Sequence, residues 1–463
     1  MNNKLEEFYK FISNKRIAML GIGLSNTPLV KMFLTYGTVI ACDKRTREKL
    51  GSTADELEAA GAILKLGEDY LENLDVDIIF RTPGMKFNLP QLDAARARGV
   101  VVTCEMEVFF ELCPCKIIAV TGSDGKTTTS TLIAEMLKLQ GYVVHLGGNI
   151  GHPLLPEIEN VLSTDIAVVE LSSFQLISMR SSPDIAIITN VSPNHLDMHK
   201  DMNEYIEAKK NIINNQNAFS RTVLNLDNAT TASMVDLARG QLFMFSRKSA
   251  VTFGCYANEN GIILMRNGSS TSDIEIMNVD DIKLPGVHNI ENYLAAISAV
   301  WGLVSVDNIR SVALSFNGVE HRIELVRELD GVLYYNDSIA TSPTRTIAGL
   351  NSFKQKVILI AGGYDKHIPF DVLGPKVIEK VKCLILCGTT SEKIEAIVKG
   401  TVGYSSDLLP IINVNTLEQA VNAAKIVAEK GDIITLSPAC ASFDSFKNFE
   451  ERGNAFKNIV NAF

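Results

Sequence analysis

The stretch Ile117-Ile-Ala-Val120-Thr-Gly122-Ser-Asp-Gly125-Lys126-Thr127 decides the fold, because an apolar run changes within it to a glycine-rich turn. Residues 117–120 are typical of a buried strand, and leucine, isoleucine and methionine recur at helical spacing between residue 132 and Gly141. A strand, a glycine-rich turn and a helix in this order predict an α/β fold with an anion site at the turn.

The residue types of the turn indicate which anion it binds. Gly122 and Gly125 let backbone N–H groups converge on a phosphate, and the helix that follows directs its positive end there. We expect Lys126 to hold β- and γ-phosphates and the Thr127 hydroxyl to bind Mg²⁺. The strict phosphate-loop pattern has a glycine where Val120 stands, so this is a shorter variant. A turn without a ligand needs neither the lysine nor the hydroxyl groups.

Composition places the chain among soluble globular enzymes. Its 463 residues exceed what one core supports, and 46% apolar with 21% charged residues is an ordinary globular balance. A net charge of −9 argues against a nucleic-acid binder. No apolar run is long enough to span a bilayer, and residues 1–15 carry no secretory signal. We therefore expect a cytoplasmic protein without membrane insertion.

The eight cysteines are scattered, which favours reduced, buried thiols over disulfides or a zinc site. Cys113-Pro-Cys115 is the only close pair, and its spacing makes it a weak candidate for a metal ligand.

Alternating strands and helices predict three domains. Residues 1–104 form a Rossmann-like domain, residues 105–317 a central P-loop ATPase domain, and residues 318–463 a Rossmann-like C-terminal α/β domain. The central domain is expected to hold a parallel sheet, with a small antiparallel appendage between about Gln241 and Leu284.

The first turn of the chain, Gly21-Ile-Gly23-Leu-Ser25-Asn26, resembles a dinucleotide fingerprint, and Asp43 follows about twenty residues later. Asn26 stands where the third glycine of that fingerprint would be. The turn is compatible with NAD, with a uridine nucleotide, or with no ligand.

Polar residues at other strand ends are further candidates. Glu170 and Asn190 end strands of the central domain, and His195 follows them. Mg²⁺ would take oxygen ligands from Thr127 and Glu170, to which His195 could add a nitrogen. Lys209 lies on a predicted helix, where paired lysines normally form a solvated face.

With these motifs the chain resembles the Mur ligases of bacterial cell-wall synthesis over all three domains. The resemblance rests on Thr121-Gly-Ser-Asp-Gly-Lys-Thr127, Gly147-Gly-Asn149-Ile-Gly151, Glu170-Leu-Ser-Ser-Phe-Gln175, residues 190–197, and His288-Asn289 with Asn292. Three stretches are similar to the branch of the family that adds D-glutamate, namely Gly21-Ile-Gly-Leu-Ser25, Ser437-Pro-Ala-Cys-Ala-Ser442 and residues 446–453.

The resemblance implies an activity. The enzyme would be an ATP-dependent amide-bond ligase that adds D-glutamate to UDP-N-acetylmuramoyl-L-alanine through an acyl phosphate, in cytoplasmic peptidoglycan precursor synthesis. It would use ATP and two Mg²⁺ ions. Its partners would be small-molecule substrates, without nucleic acid or membrane insertion, and a monomer is expected.

It also implies roles for residues. Catalysis would involve Lys126, Glu170, His195 and Lys209. ATP would be bound by Gly122, Ser123, Asp124, Gly125, Lys126, Thr127, Thr128, Asn292, Arg322 and Asp337. The UDP-substrate would be held by Gly23, Leu24, Ser25, Asp43, Lys44, Arg45, Thr82, Asn149 and His195. D-glutamate would meet Lys366, Ser442 and Phe449. The Mg²⁺ ligands would be Thr127, Glu170, His195 and Lys209.

Two positions differ from the simple pattern. The resemblance implies that Lys209 is carbamylated, which turns a cation into a carboxylate-like ligand and replaces the solvated-face interpretation. The family often has a lysine where this chain has Ile339, so a phosphate contact is missing there unless Ser338, Thr341 or Ser342 compensates.

Several alternatives remain open. Another Mur ligase or a folylpolyglutamate synthetase would share the phosphate loop, although the chain has no Asp-Asn-Pro-Arg run. A nicotinamide-dependent oxidoreductase would leave that loop unexplained, and a nucleotide-gated binding module would hydrolyse ATP without needing an amino acid.

Overall fold

The computed structural model describes residues 3–23, 25–193, 199–268, 273–365 and 369–463. Within these ranges the strands form three sheets, and the chain divides into two compact units. Unit 1 contains residues 1–281 and 290–312, and unit 2 contains residues 282–289 and 313–463. The predicted α/β class is confirmed. The boundaries at 104/105 and 317/318 stay predictions.

The first sheet of unit 1 is parallel, and its described strands have the order β3-β2-β1-β4-β5. This is the doubly wound order that the alternating pattern predicts. The strands are β1 Arg16–Leu20, β2 Thr38–Asp43, β3 Ile63–Leu66, β4 Ile78–Arg81 and β5 Val101–Thr103. The helices are α1 Asn3–Ile12, α2 Thr27–Phe33, α3 Arg47–Leu50, α4 Ser52–Ala59, α5 Pro90–Ala97 and α6 Glu105–Leu112.

The second sheet of unit 1 has the order β14-β13-β12-β11-β10-β9-β6-β8-β7 over the described residues. Its strands are β6 Lys116–Thr121, β7 Val144–Gly148, β8 Ile166–Glu170, β9 Ile185–Ile188, β10 Arg221–Asn225, β11 Gln241–Ser246, β12 Gly254–Ala257, β13 Ile262–Arg266 and β14 Ile274–Asn278. The helices are α7 Lys126–Gln140, α8 Ser173–Leu176, α9 Met202–Asn214, α10 Ala229–Ala232, α11 Val287–Val300 and α12 Val306–Ser315. The first residues of α11 and the last of α12 belong to unit 2.

The predicted antiparallel strands are present, and they extend the edge of this sheet. Strand β11 pairs parallel with both β10 and β12, so the antiparallel pairing begins between β12 and β13.

The sheet of unit 2 has the order β15-β16-β20-β17-β18-β19 among the residues described. It is parallel except for the β15–β16 pair. Its strands are β15 Glu324–Leu329, β16 Val332–Asn336, β17 Val357–Ala361, β18 Val381–Leu386, β19 Ile411–Asn413 and β20 Ile433–Leu436. The helices are α13 Pro343–Asn351, α14 Leu373–Lys380, α15 Ser391–Gly400, α16 Leu417–Val427 and α17 Phe449–Asn461. In the parts of the chain that the structure covers, no helix is long and apolar enough to cross a membrane.

The register of three neighbouring strands creates one site edge in unit 1. Strand β6 lies between β8 and β9, with Val120 opposite Glu170 and Thr121 opposite Ile188. Because parallel strands end at the same edge, the phosphate loop, Glu170 and the segment after Ile188 emerge together.

Candidate nucleotide site

Two glycines shape the phosphate loop. Gly122 has φ +152° and Gly125 has φ +79°. A side chain at Gly122 would collide with the Thr189 hydroxyl, and one at Gly125 would collide with the amide oxygen of Asn292. The loop therefore requires glycine at both positions for backbone conformation and for space.

Hydrogen bonds from the segment after β9 hold the loop. The backbone N–H of Asp124 donates to Asn190 Oδ1 at 3.0 Å, and Thr189 Oγ1 donates to the Asp124 carbonyl at 2.6 Å. The Ser123 hydroxyl accepts from the N–H of Ser192 and donates to the carbonyl of Ser192, each at 2.9 Å. The loop is consequently fixed before any ligand binds.

Helix α7 begins at Lys126, directly after the left-handed Gly125. Its first-turn N–H groups therefore lie at the loop, and the buried Thr127 and Thr128 belong to that turn. Lys126 Nζ donates to the carbonyls of Gly122 at 3.0 Å and Ser123 at 2.9 Å. The predicted strand, turn and helix are confirmed, and the ammonium group lies over the turn.

Glu170 ends β8 beside this helix and is 1% exposed. Its Oε2 accepts a hydrogen bond from Thr127 Oγ1 at 2.8 Å, and its Oε1 accepts one from Asn149 Nδ2 at 2.7 Å. Oxygen atoms from a threonine and a carboxylate therefore meet at the start of α7, as a hard cation such as Mg²⁺ requires.

Lys209 is 1% exposed, so the solvated face expected from its paired lysines is wrong. Its Nζ donates to the Gly122 carbonyl at 2.8 Å and to Thr121 Oγ1 at 3.3 Å. Burial and the nearby Lys126 charge hold the pKa of Lys209 well below its usual range, although Asp124 and Glu170 oppose this shift. A buried amine with a lowered pKa lies against the phosphate loop.

Sequence reasoning gave no role to Tyr205, which connects these groups. Its hydroxyl lies 3.0 Å from Ser123 Oγ, and its ring lies 4.6 Å from Lys209 Nζ. Tyr205 and Lys209 are four residues apart, so they share one face of α9. That spacing is a signal that could have identified Tyr205 as part of the site.

A buried polar group supports the same helix. His199 Nε2 lies 2.8 Å from Ser173 Oγ, and His199 Nδ1 lies 3.2 Å from Glu204 Oε2. The His199 ring is 5.3 Å from the ring of Tyr205, edge to face. These contacts fix the first turn of α9 relative to α8, and the sequence gave no sign of them.

Asn292 lies on α11 beside the loop, where its Oδ1 is 3.4 Å from the hydroxyl of Thr129. Asn149 was predicted to contact the UDP-substrate, and the structure places its side chain on Glu170. Both amides therefore belong to the surroundings of the phosphate loop.

Asp43 lies beside the Gly21–Asn26 turn and is 5% exposed. Its carboxylate already accepts hydrogen bonds from within the protein. Arg45 Nε donates to Asp43 Oδ1 at 2.9 Å, and the N–H of Ile22 donates to Oδ2 at 2.7 Å. Burial alone would raise the pKa of Asp43. The hydrogen bonds from Arg45 and Ile22 together have a larger effect in the opposite direction, so the pKa is lowered overall. In a dinucleotide site this acid would bind a ribose. Here its carboxylate is hydrogen-bonded to Arg45.

The other residues predicted for the UDP-substrate lie around this turn. The carbonyl of Gly23 accepts from the N–H of Thr27, and a side chain at Gly21 would come within 2.9 Å of Thr82 Cγ2. Ser25 lies two residues before the start of α2 at Thr27, and Lys44 Nζ lies 3.3 Å from Glu68 Oε2.

In unit 2, Asp337 follows β16 and is buried. Its Oδ2 accepts from Ser437 Oγ at 2.7 Å and its Oδ1 from the N–H of Ile323 at 3.3 Å. Burial raises the pKa of Asp337 to about 7, against the hydrogen bond from Ser437 and the charges of Arg322 and Arg345. The Nε of Arg322 is buried without a hydrogen-bond partner among the described residues, so this cation has a donor to spare.

Ser442 and Phe449 border a loop that Arg452 holds. Arg452 is 4% exposed, and it donates to the carbonyls of Ser338, Cys440 and Ala441 at 2.9, 3.1 and 3.1 Å. Ser338 Oγ donates to the carbonyl of Phe449 at 2.8 Å. Arg452 is thus a structural residue of this site that received no role from the sequence.

Three predicted site residues, Leu24, His195 and Lys366, lie outside the described residues. Among the residues that are described, no cluster of three or more His, Cys, Asp or Glu side chains could hold a metal ion. The predicted Mg²⁺ ligand set, which combines Thr127, Glu170, His195 and Lys209, therefore stays a prediction.

Comparison with known proteins agrees with this geometry. The family model of the Mur ligase middle domain matches residues 120–300, and that of the Mur ligase, glutamate ligase domain matches residues 321–440. A UDP-N-acetylmuramoylalanine–D-glutamate ligase from Acetivibrio thermocellus is 56% identical, covering 100% of this chain and 99% of its own. The chain belongs to the Mur ligase family. A relative of the same name from Ruminiclostridium cellulolyticum is 53% identical with the same coverage.

Solved Mur ligases share the fold. A UDP-N-acetylmuramate-alanine ligase from Thermotoga maritima matches with TM-score 0.59 and 17% identity, over 97% of this chain and 100% of its own. A UDP-N-acetylmuramoyl-L-alanyl-D-glutamate–2,6-diaminopimelate ligase matches with TM-score 0.56 and 19% identity, over 92% of each chain. The three-domain architecture predicted from the alternation of strands and helices is confirmed, with one described sheet in each predicted domain.

Proposed function

We propose that this protein adds D-glutamate to UDP-N-acetylmuramoyl-L-alanine and forms ADP and phosphate. The observation that carries the proposal is full-length identity above one half with relatives that bear the name of this activity. A nucleotide-dependent ligase needs a phosphate loop with an acid and an amine beside it, and this chain has Glu170 and Lys209 at that place. An oxidoreductase needs none of these parts.

The nucleotide is proposed to bind at the loop of unit 1. The N–H groups of Gly122–Thr127 cradle its phosphates, and Lys126 turns from the loop carbonyls to the β- and γ-phosphates. Further ATP contacts are proposed for Thr128, Asn292, Arg322 and Asp337. The spare donor on Arg322 suits an anionic or ribose oxygen.

Magnesium fits the donor set at the start of α7. The Thr127 hydroxyl and the Glu170 carboxylate supply hard oxygen ligands, and a carbamylated Lys209 would add a third. Two Mg²⁺ ions, when bound, would neutralise the charge that accumulates between a carboxylate and a triphosphate. His195 is proposed as a further ligand.

The reaction is proposed to proceed in two steps. The alanyl carboxylate attacks the γ-phosphorus of ATP, ADP leaves, and an acyl phosphate forms. The amine of D-glutamate then attacks the acyl carbon, and phosphate leaves from a tetrahedral intermediate. Both steps bring anions together, so Lys126 and the N–H groups of the loop stabilise the charge that develops.

The remaining assignments complete the proposal. The UDP-substrate is proposed to meet Gly23, Leu24, Ser25, Asp43, Lys44, Arg45, Thr82, Asn149 and His195. D-glutamate is proposed to meet Lys366, Ser442 and Phe449. The protein is proposed to act in the cytoplasm as a monomer on small molecules.

Phosphate release in the presence of ATP, Mg²⁺ and UDP-N-acetylmuramoyl-L-alanine tests the proposal when candidate amino acids are added one at a time. We expect release with D-glutamate and none with L-glutamate, L-lysine or diaminopimelate. Release without any amino acid would favour a nucleotide-gated binding module, and release with another amino acid would favour a different Mur ligase.

A matched pair of variants ties the activity to the loop. Lys126→Ala should abolish ADP formation. Lys138→Ala, which removes an exposed lysine at the other end of the same helix, should leave it unchanged. Normal turnover in Lys126→Ala would contradict the assignment of the loop.

A further inference from the structure

Two cysteine thiols lie against each other where the chain passes from α6 to β6. Cys113 Sγ and Cys115 Sγ are 3.5 Å apart, with Pro114 between the two residues. Neither thiol belongs to the nucleotide site, so the chemistry of this pair is independent of the proposed function.

The two thiols differ in exposure and in acidity. Cys113 is half-buried, whereas Cys115 is 7% exposed and packs into the core of unit 1. The hydrogen bond from the Cys115 thiol lowers the pKa of Cys113, and burial opposes this only in part. The same hydrogen bond, together with burial, raises the pKa of Cys115. The first thiol is therefore suited to attack, and the second to resolve.

The other six cysteines differ from Cys113. All of them lie in described ranges, and burial raises the pKa of each thiol. They are Cys42, Cys104, Cys255, Cys383, Cys387 and Cys440. Cys113 is the only cysteine of the chain that combines partial exposure with a lowered pKa.

We propose that Cys113 and Cys115 form a dithiol site that low-molecular-weight disulfides oxidise reversibly to an intramolecular disulfide. The Cys113 thiolate attacks one sulfur of the small disulfide RSSR, and the first RS⁻ leaves. The Cys115 sulfur then attacks Cys113 Sγ, the mixed disulfide breaks, and the second RS⁻ leaves. The two thiol protons end on the two RS⁻ ions, so two cysteines and one RSSR give one disulfide and two RSH.

The backbone favours this closure. Two residues along the chain span at most about 7 Å, which is the upper limit that a disulfide allows between Cα atoms. Cys113 has φ −59° and ψ 120°, the extended form required before proline, and Pro114 limits how far the pair can separate. The sulfur atoms must approach by about 1.5 Å to reach bonding distance.

The test uses the reduced full-length protein without substrates. Limiting iodoacetamide is added, and labelling at each cysteine is quantified by peptide mass spectrometry over a range of pH. We expect Cys113 to be labelled about tenfold faster than Cys387, the other half-buried cysteine. Equal rates for the two would overturn the proposal without any variant being needed.

A second arm uses glutathione disulfide and the same protein. We expect a loss of two hydrogen masses, located in the peptide that contains residues 113 and 115, and full reversal by dithiothreitol. Cys115→Ser should instead retain one glutathione on Cys113, and Cys113→Ser should leave Cys115 unmodified. Stable glutathionylation of Cys113 in the unsubstituted protein would overturn the intramolecular step, and modification of Cys115 in Cys113→Ser would overturn the order of attack.

Discussion

Lys209 is the residue whose chemistry depends most on where the fold places it. Its neighbour Lys210 forms an ion pair with Glu207 at 2.7 Å on the helix surface. Lys209 is instead buried, and its Nζ donates to the Gly122 carbonyl. Burial favours the neutral amine, and a neutral amine is the form that reacts with carbon dioxide to give a carbamate. The lowered pKa of Lys209 thus supports the carbamylation that the family resemblance implies.

Replacing Lys209 by arginine should lower the rate of phosphate release on the order of 100-fold, because a guanidinium cannot become a carboxylate-like ligand. The matched change Lys210→Arg should leave the rate unchanged. In ¹³C-bicarbonate the unsubstituted protein and Lys210→Arg should each show one carbamate resonance, which Lys209→Arg should lack. A carbamate signal that persists in Lys209→Arg would place the modification elsewhere.

Ile339 stands where the family often has a lysine, and the structure indicates a different cation nearby. Ser338, one of the residues expected to compensate, is occupied by Phe449 and Arg452. Arg345 Nη1 instead donates to the Ile339 carbonyl at 3.2 Å. A guanidinium therefore lies within hydrogen-bonding distance of the backbone of residue 339.

We predict that Arg345→Ala raises the KM of a phosphate-bearing substrate about tenfold, the effect of one lost charge-assisted hydrogen bond. Arg345→Lys should restore part of the affinity, because it restores the charge without the planar donor. Initial rates at varied ATP and varied UDP-substrate show which KM changes. Lys354→Ala, an exposed lysine after α13, is the control. If neither KM moves in Arg345→Ala, the cation has no part in binding.

At the scale of elements, the sequence predicts those strands well that are buried on both faces. The short apolar runs at residues 16–20, 166–170, 357–361 and 433–436 predict strands at the observed bounds of β1, β8, β17 and β20, because such runs between turn residues have few other structures. Strand β3 was missed because its residues are half-buried or exposed. Strand β7 was missed because its two glycines resemble a loop.

The same distinction applies to the site. The phosphate loop is local in sequence, so its glycines, lysine and threonine could be read from spacing alone. The environments of Lys209, Arg322 and Arg452 are not local, because each depends on segments at least 80 residues away or on burial. A single sequence cannot supply such contacts.

Helix α9 offers a test of one such contact. We predict that Tyr205→Phe raises the KM for ATP about fivefold while the carbamate of Lys209 persists, because the bond to Ser123 is lost and the ring remains. Tyr205→Leu removes the ring as well and should reduce the ¹³C carbamate signal. Equal behaviour of the two variants in both assays would show that the ring does not position Lys209.

At the scale of the whole molecule, each unit has its own apolar core and a buried acid whose pKa is raised. Glu105 begins α6 in unit 1, where its Oε1 accepts the N–H groups of Leu154 and Leu155 at 2.8 and 2.9 Å. Burial raises its pKa to about 7 against these two bonds. Asp337 in unit 2 has its pKa raised to about 7 for the same reason. Both carboxyl groups are therefore more basic in the folded chain than in the unfolded chain.

The sign of the resulting pH dependence is set by proton binding. Between the unfolded pKa, near 4, and about 7, the folded state keeps a proton that the unfolded state has lost, so the free energy of unfolding falls as pH rises. Each acid contributes at most about 3 to 4 kcal/mol to this fall, which ends near pH 7. Glu105→Gln and Asp337→Asn each keep a neutral hydrogen-bond acceptor. Each variant should therefore remove the contribution of its acid to the fall of the unfolding free energy with pH.

We predict that the two variants act on different units. Hydrogen exchange measured from pH 5 to pH 8, corrected for intrinsic rates, should show the slope removed in β6 and β8 by Glu105→Gln, and in β16 and β20 by Asp337→Asn. The double variant should show the sum, because the two acids share no partner. If either single change removed the slope in both units, the chain would unfold as one cooperative body, and two separate cores would be the wrong description of its stability.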